Sequence, residues 1–312
     1  MANYKNVLIT GGAGNLGRHV FEELKGDYAV ALFDQVAPGE APFPWDPKGE
    51  AMVIKGPLTD LGSCMRAISL AEADVIVHLG ALPGPSDMQP HQKRPQRAPE
   101  ETTMMSNVMG TYFLMDAARR LGVKKVIFAS TYYVLGLGNR LSGTPFKVEY
   151  LPIDENHPNL PEDTYSLSKL IDEEILAAYS RAYGIRCVCF RLMGVSYPYR
   201  PHPTDVAVPT EKQEWVGGPQ VSTMQYSDAR DIAYAARLAI EKDLENRFEV
   251  MYHETDNIFR GNTADMIRNK YPDLADMADH VKGEEGIIST RKMRTLLGYE
   301  PKYSWKKGLP AE

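Results

Sequence analysis

The sequence predicts an α/β fold, a doubly wound parallel sheet carrying a smaller C-terminal lobe, and three observations predict it. Short apolar runs alternate with longer amphipathic stretches as far as residue 190, which is the order of strands and crossover helices. A glycine-rich turn joins the first apolar run to the first helical stretch. Beyond residue 191 the chain is richer in proline and charge, and clear strands become few.

The first strand is predicted over 5–10 from the run Val7-Leu8-Ile9-Thr10, and the first helix over 15–25. Between them stands Gly11-Gly12-Ala13-Gly14-Asn15-Leu16-Gly17. A sharp turn of this kind needs positive φ, close backbone approach to a ligand and a helix that starts tight against the strand. Free N–H groups at the helix start then face an anion, so the turn reads as a pyrophosphate cradle with Gly11, Gly14, Asn15, Leu16 and Gly17 as its candidate contacts. The second strand, 29–33, ends at Asp34, close to the roughly 20 residues expected after such a turn. Its carboxylate suits the two hydroxyls of an adenosine ribose and repels a further phosphate. Gln35 follows, with no arginine to receive that phosphate, so the expected cofactor is NAD in a Rossmann-type fold.

Further strands are predicted at 51–54, 74–79, 124–129 and 186–190, with helices near 60–71, 104–121 and 163–183. Parallel strands need such crossovers, and the helices then bury both sheet faces. The chain divides into 1–190, the NAD-binding domain, and 191–312, mainly a substrate-binding lobe, with the helical stretch 228–241 returning to the main domain.

Tyr165-Ser166-Leu167-Ser168-Lys169 places a phenol and an ammonium four residues apart on one helix face. A free tyrosine titrates near pH 10, about three units too high for a neutral-pH base, and a neighbouring positive charge favours its phenolate. The same spacing occurs on ordinary solvated helix faces; the glycine turn upstream favours the chemical reading. The strand Phe128-Ala129-Ser130-Thr131 ends in two adjacent hydroxyls, at the end of the sheet where ligands of such folds bind.

A chain of 312 residues can bury a substantial core, and a net charge of −6 gives no general support for a nucleic-acid partner. Three cysteines, Cys64, Cys187 and Cys189, form no disulfide framework, so a reducing cytoplasm is expected. Cys187 and Cys189 alternate on a strand and are read as core, and no cluster has metal-ligand spacing. Neither a signal-peptide pattern nor a bilayer-length apolar stretch is present, so no membrane partner is expected.

Together these residues resemble the extended short-chain dehydrogenase/reductase family, also called the NAD-dependent epimerase/dehydratase family. The likeness also takes in His78-Leu79-Gly80-Ala81, Asn107 in Asn107-Val108-Met109-Gly110-Thr111, Asp231 in Arg230-Asp231-Ile232-Ala233, and the closing Leu297-Gly298-Tyr299-Glu300-Pro301, so it covers nearly the whole chain. The resemblance implies that Tyr165 is the acid/base, that Lys169 holds the nicotinamide ribose and lowers the tyrosine pKa, and that Thr131 binds the same substrate oxygen with Ser130 assisting. It implies that Leu58, Gly80 and Ala81 line the cofactor and that Asn107 supports the neighbouring helix. It also implies a homodimer through the helices 104–121 and 163–183.

The departures from the family pattern bear on substrate. Pro57 replaces the usual aspartate, so the side-chain contact to the adenine amine is either lost or taken over by Asp60. Thr131-Tyr132-Tyr133 lacks the acidic residues of the sugar-nucleotide dehydratases, so loss of water is not expected. The diphosphate-clamping arginines of nucleotide-sugar enzymes are missing from Val221-Ser222-Thr223-Met224-Gln225 and near Lys282, with Arg200 and Arg260 as the alternatives. A proline-rich insertion, Pro83 to Glu101, carries His91, Lys93, Arg94 and Arg97 and reads either as a basic lid or as a surface loop whose charges are simply solvated. Together with a likeness of Ser130 to Gly136 to uronate dehydrogenases, this favours a sugar or sugar acid as the carbohydrate-type substrate of an NAD-dependent dehydrogenase. The alternatives are an epimerase using the same tyrosine and a non-catalytic NAD-binding sensor.

Overall fold

The computed structural model of the protein describes residues 4–87, 98–199, 224–259 and 261–307. Seven parallel strands form the main sheet: β1 (Asn6–Thr10), β2 (Ala29–Asp34), β3 (Met52–Lys55), β4 (Val75–His78), β5 (Lys125–Thr131), β6 (Arg186–Leu192) and, after two short strands elsewhere, β9 (Phe248–His253). Their order is β3-β2-β1-β4-β5-β6-β9, so the winding reverses between β1 and β4, and the crevice above that pair is where such sheets take ligands.

Alternation along each strand explains the two layers. Val7, Ile9, Val75, Val77, Ile127 and Val188 belong to one apolar cluster, while Leu8, Ile76, Val126, Phe128, Cys187 and Cys189 belong to the other. A period of two sends neighbours to opposite faces. The first cluster is covered by α1 (Asn15–Leu24), α5 (Ala229–Glu241) and α7 (Arg291–Leu297), the second by α2 (Leu61–Leu70), α3 (Thr102–Leu121) and α4 (Thr164–Tyr183). All three cysteines are buried free thiols. α4 begins where the Asp163 side chain accepts from the N–H groups of Tyr165 and Ser166, and it ends at Gly184 in the left-handed conformation.

A third apolar cluster builds the lobe at the carboxyl ends of the strands. It draws Leu137, Phe146, Val148, Leu151 and Ile153 from before residue 190 and Ile267, Ile287 and Ile288 from after it. A small sheet ordered β10-β8-β7, made of β7 (Gly194–Ser196), β8 (Gln225–Asp228) and β10 (Asp256–Asn257), joins it. The lobe is therefore assembled from both halves of the chain. β9, for which the sequence reading had no strand, lies in the main sheet beside β6, and α5 packs on α1.

Candidate functional site

The glycine turn brings the ends of β1 and β4 into direct backbone contact. Gly11 has a φ of +67°, and a Cβ built on it would lie 2.7 Å from the amide nitrogen of Gly80. A Cβ on Gly80 would in turn meet Leu58 Cδ1 at 2.6 Å. Gly14 caps α1 without any side-chain hydrogen bond, which leaves the first amides of the helix facing the groove. Gly17 and Leu16 do different work: a Cβ on Gly17 would lie 2.7 Å from the Gly12 carbonyl, and Leu16 packs on the apolar core, so both shape the turn from beneath.

Gly11, Gly14, Asp34, Leu58, Gly80 and Ala81 line one open groove. Asn15 lines a separate hollow with Arg18 and Trp45. Asp34 is half-buried at the end of β2 and accepts from the N–H groups of Ala13 at 3.1 Å and Gln35 at 2.7 Å. Burial pushes its carboxyl above the usual range against the pull of those amides. A carboxylate aimed into a groove that no Cβ can narrow fits an adenosine ribose. The Asp60 side chain accepts from Ser63 N–H at 2.7 Å as the N-cap of α2, and Thr59 lines the groove wall, which favours the alternative in which the acidic contact to adenine is lost.

The wall behind the groove is a buried polar lattice. Asn107 accepts from Leu82 N–H at 2.8 Å and donates to Leu82 O at 3.2 Å and Ser168 Oγ at 3.0 Å, which ties the loop after β4 to α3 and α4. His78 Nδ1 lies 2.6 Å from Thr10 Oγ1, its Nε2 lies 3.1 Å from Thr111 Oγ1, and Thr10 Oγ1 accepts from Gly80 N–H at 3.2 Å. Burial, aided by the charge on Lys169, pushes the imidazole down to about 3, so it is neutral.

Tyr165, in the first turn of α4, meets the end of β5, where the Thr131 hydroxyl faces its phenol. Burial pushes the phenol up to about 12, the Thr131 hydroxyl opposes this, and Tyr133, Asp163 and Asp172 add to it. Lys169 is buried one turn further along, donates to Ala129 O at 2.9 Å and lies over the Phe128 ring. Its resting ammonium is thus held against β5.

Ser130 stands apart from the assisting role that the resemblance implied. Its hydroxyl donates to Glu173 Oε1 at 2.5 Å inside the core and is committed there. Glu173 also receives Arg191 Nε at 3.0 Å and Nη2 at 2.8 Å, and Arg191 Nη1 donates to Tyr252 Oη at 3.1 Å. Sequence reasoning missed this network and its neighbour Asp172, because helix acids seven and eight residues past a tyrosine look like a solvated face.

The loop entering the Pro83 to Glu101 insertion is fastened beside Tyr165: Asp87 accepts from Thr164 Oγ1 at 2.8 Å, and Ser86 N–H donates to Thr164 Oγ1 at 3.1 Å. His91, Lys93, Arg94 and Arg97 lie outside the described residues, as do Arg200, His202, Val221, Ser222, Thr223 and Arg260. Among the described residues no group of three His, Cys, Asp or Glu is arranged to hold a metal ion, and no helix is long and apolar enough to cross a membrane.

Comparison with known proteins gives a match of residues 7–250 to the sequence model described as NAD dependent epimerase/dehydratase family. A uronate dehydrogenase from Pseudomonas putida is 31% identical over 196 residues, 62% of this chain and 62% of that protein. A UDP-glucose 4-epimerase from Rhizobium leguminosarum bv. trifolii is 30% identical over 190 residues, 60% of this chain and 51% of that protein. Each alignment therefore spans less than two thirds of the relative's length. The crystal structure of a UDP-glucose 4-epimerase from Thermotoga maritima with UDP-glucose superposes with a TM-score of 0.66 at 22% identity, covering 97% of this chain and 96% of that one, a likeness of fold.

Proposed function

The chain belongs to the NAD-dependent epimerase/dehydratase family, and from that premise we propose that it is a dehydrogenase that oxidises a hydroxyl-bearing carbon of a free sugar or sugar acid. The observation that carries this reading is the Tyr165 phenol facing the Thr131 hydroxyl at the end of β5, one helical turn from buried Lys169 and at the same carboxyl end of the sheet as the Gly11 and Gly80 groove. A pure binder of NAD has no use for that trio.

NAD bound in this groove supplies the hydride acceptor and a positive charge. Tyr165 takes the proton of the substrate hydroxyl, and Thr131 holds the same oxygen so that the C–H bond is presented in a fixed direction. Lys169, bonded to the Ala129 carbonyl, is the residue that would hold the nicotinamide ribose, and its charge would favour the phenolate that burial disfavours. Asp34 takes the adenosine ribose. Replacing Asp34 with Ala removes charge-assisted hydrogen bonds worth about 1.5–3 kcal/mol, so NAD should bind roughly 10-fold or more weakly while NADP changes little. Titration of both cofactors checks this, and an unaltered preference would remove Asp34 from the role.

The sugar or sugar-acid reading rests on the residues that are missing: no arginine stands at Val221 to Gln225, where nucleotide-sugar enzymes clamp a diphosphate. The uronate dehydrogenase relative supports it, and the epimerase relative supports the alternative in which hydride returns to the other face of the sugar. Mixing protein and NAD with a panel of free sugars and sugar acids should give stoichiometric NADH, read by absorbance. A nucleotide sugar changing configuration by NMR with no net NADH would replace this reading with epimerisation.

We infer a homodimer as well, because Met105, Tyr112, Leu167 and Tyr183 leave α3 and α4 with an exposed apolar face. Buried free thiols suit a reducing cytoplasm.

A further inference from the structure

Asp172 is 1% exposed, and neither of its carboxylate oxygens has a hydrogen-bond partner. The contrast with the next residue is sharp: Glu173 holds Ser130 and both donors of Arg191. One turn back along α4, buried Lys169 has a single acceptor, the Ala129 carbonyl. A carboxylate and an ammonium are thus buried on the same stretch of one helix, each under-bonded. Burial disfavours both charges, and their mutual attraction is what offsets it.

The other neighbours of Asp172 supply no cation. From α3 the Thr111 hydroxyl faces it, while that hydroxyl is bonded to the neutral His78 of β4. Arg191 of β6 is taken bidentately by Glu173. The chain Gly80 N–H, Thr10, His78 and Thr111 therefore runs from the groove wall through neutral groups and brings no charge to Asp172. The positive charge left to face the carboxylate is Lys169.

We propose that Asp172 is the buried counter-charge of Lys169, a positioning residue that keeps the ammonium charged next to Tyr165 and sets the pH window in which the site works. The inference rests on the roles proposed above for Tyr165 and Lys169. Burial lowers Lys169, and Asp172 opposes this first, ahead of Cys189 of β6 and Glu173. At Tyr165, burial, Tyr133, Asp163 and Asp172 raise the phenol against the Thr131 hydroxyl. Asp172 itself is pushed up to about 7 by burial and held down by Lys169 and the Thr111 hydroxyl. One negative charge therefore raises both working groups.

Asp172→Asn keeps the shape and removes the charge, so both pKa values fall. Tyr165 must be ionised to take a proton and defines the acid limb of kcat/KM; Lys169 must be charged and defines the alkaline limb. Both limbs should move to lower pH by about one unit. In the absence of substrate, the alkaline loss of NAD affinity, read by tryptophan fluorescence, should move the same way. A residue that merely filled space would lower the melting temperature or the amplitude and leave both limbs in place. If Asp172→Asn does not fold, Asp172→Ser carries the test: it too removes the charge, and both limbs move to lower pH. Lys169→Met, measured alongside, separates the two readings. Native binding and turnover in Lys169→Met would overturn the role of Lys169 and its counter-charge together. An impaired Lys169→Met beside native limbs in Asp172→Asn, or in Asp172→Ser, would overturn this inference alone.

Discussion

Tyr165→Phe should lower kcat by about 100-fold to 10,000-fold while NAD affinity stays within a few-fold of native. That loss corresponds to about 3–5 kcal/mol of transition-state stabilisation, the scale of a positioned proton acceptor and well above what one lost hydrogen bond explains. The ring keeps its place in the first turn of α4, since the helix is capped by Asp163 through backbone N–H groups that the substitution does not touch. The groove that receives NAD lies on β1, β2 and β4 and contains no atom of the phenol. Stability should therefore change by about 1 kcal/mol or less, the scale of one neutral hydroxyl's hydrogen bonding. Single-turnover measurement of NADH formation checks the chemical step directly, and a kcat within about 3-fold of native would remove Tyr165 from the reaction.

Glu173→Ala should be the most destabilising single change in the neighbourhood, by about 3–5 kcal/mol in denaturant or thermal unfolding. It leaves the Arg191 guanidinium buried with Tyr252 as its remaining partner, and it also strips Ser130 of its acceptor. Four elements lose their junction, since the group joins α4, β5, β6 and β9. Replacing both Glu173 and Arg191 with Met should cost less than Glu173→Ala alone, because no uncompensated charge remains. A loss of about 1 kcal/mol or less in the single variant would show that water or a neighbour takes up the charge. Ser130→Ala should retain turnover, as its hydroxyl serves this junction.

What the sequence displayed plainly was local. The glycine turn, the apolar runs of β1, β2, β4 and β5, and the Tyr165 and Lys169 spacing are each set by neighbours a few residues apart, where backbone sterics and periodicity act directly. What escaped depends on partners far along the chain. Ser130 and Thr131 look equivalent as adjacent hydroxyls until Glu173, 43 residues later, claims one of them. Phe248-Glu249-Val250-Met251-Tyr252-His253 mixes charge into a strand, and it is buried because Lys292 pairs with Glu249 at 2.7 Å. Asp172 has an unremarkable helical spacing, and its solitude is visible only once α3 closes over it.

The strand order has a consequence for how the molecule is made. β9 pairs with β6, yet the ribosome delivers the β7 and β8 segments of the lobe between them. During synthesis the nascent sheet ends at β6 with an unpaired edge, and Arg191 waits there beside Glu173 without Tyr252. The edge is sealed only when residue 253 has left the exit tunnel, and α7, which packs on β9, follows later still. A chain halted before that point carries the whole glycine turn and both Tyr165 and Lys169, but offers a sticky strand to its neighbours.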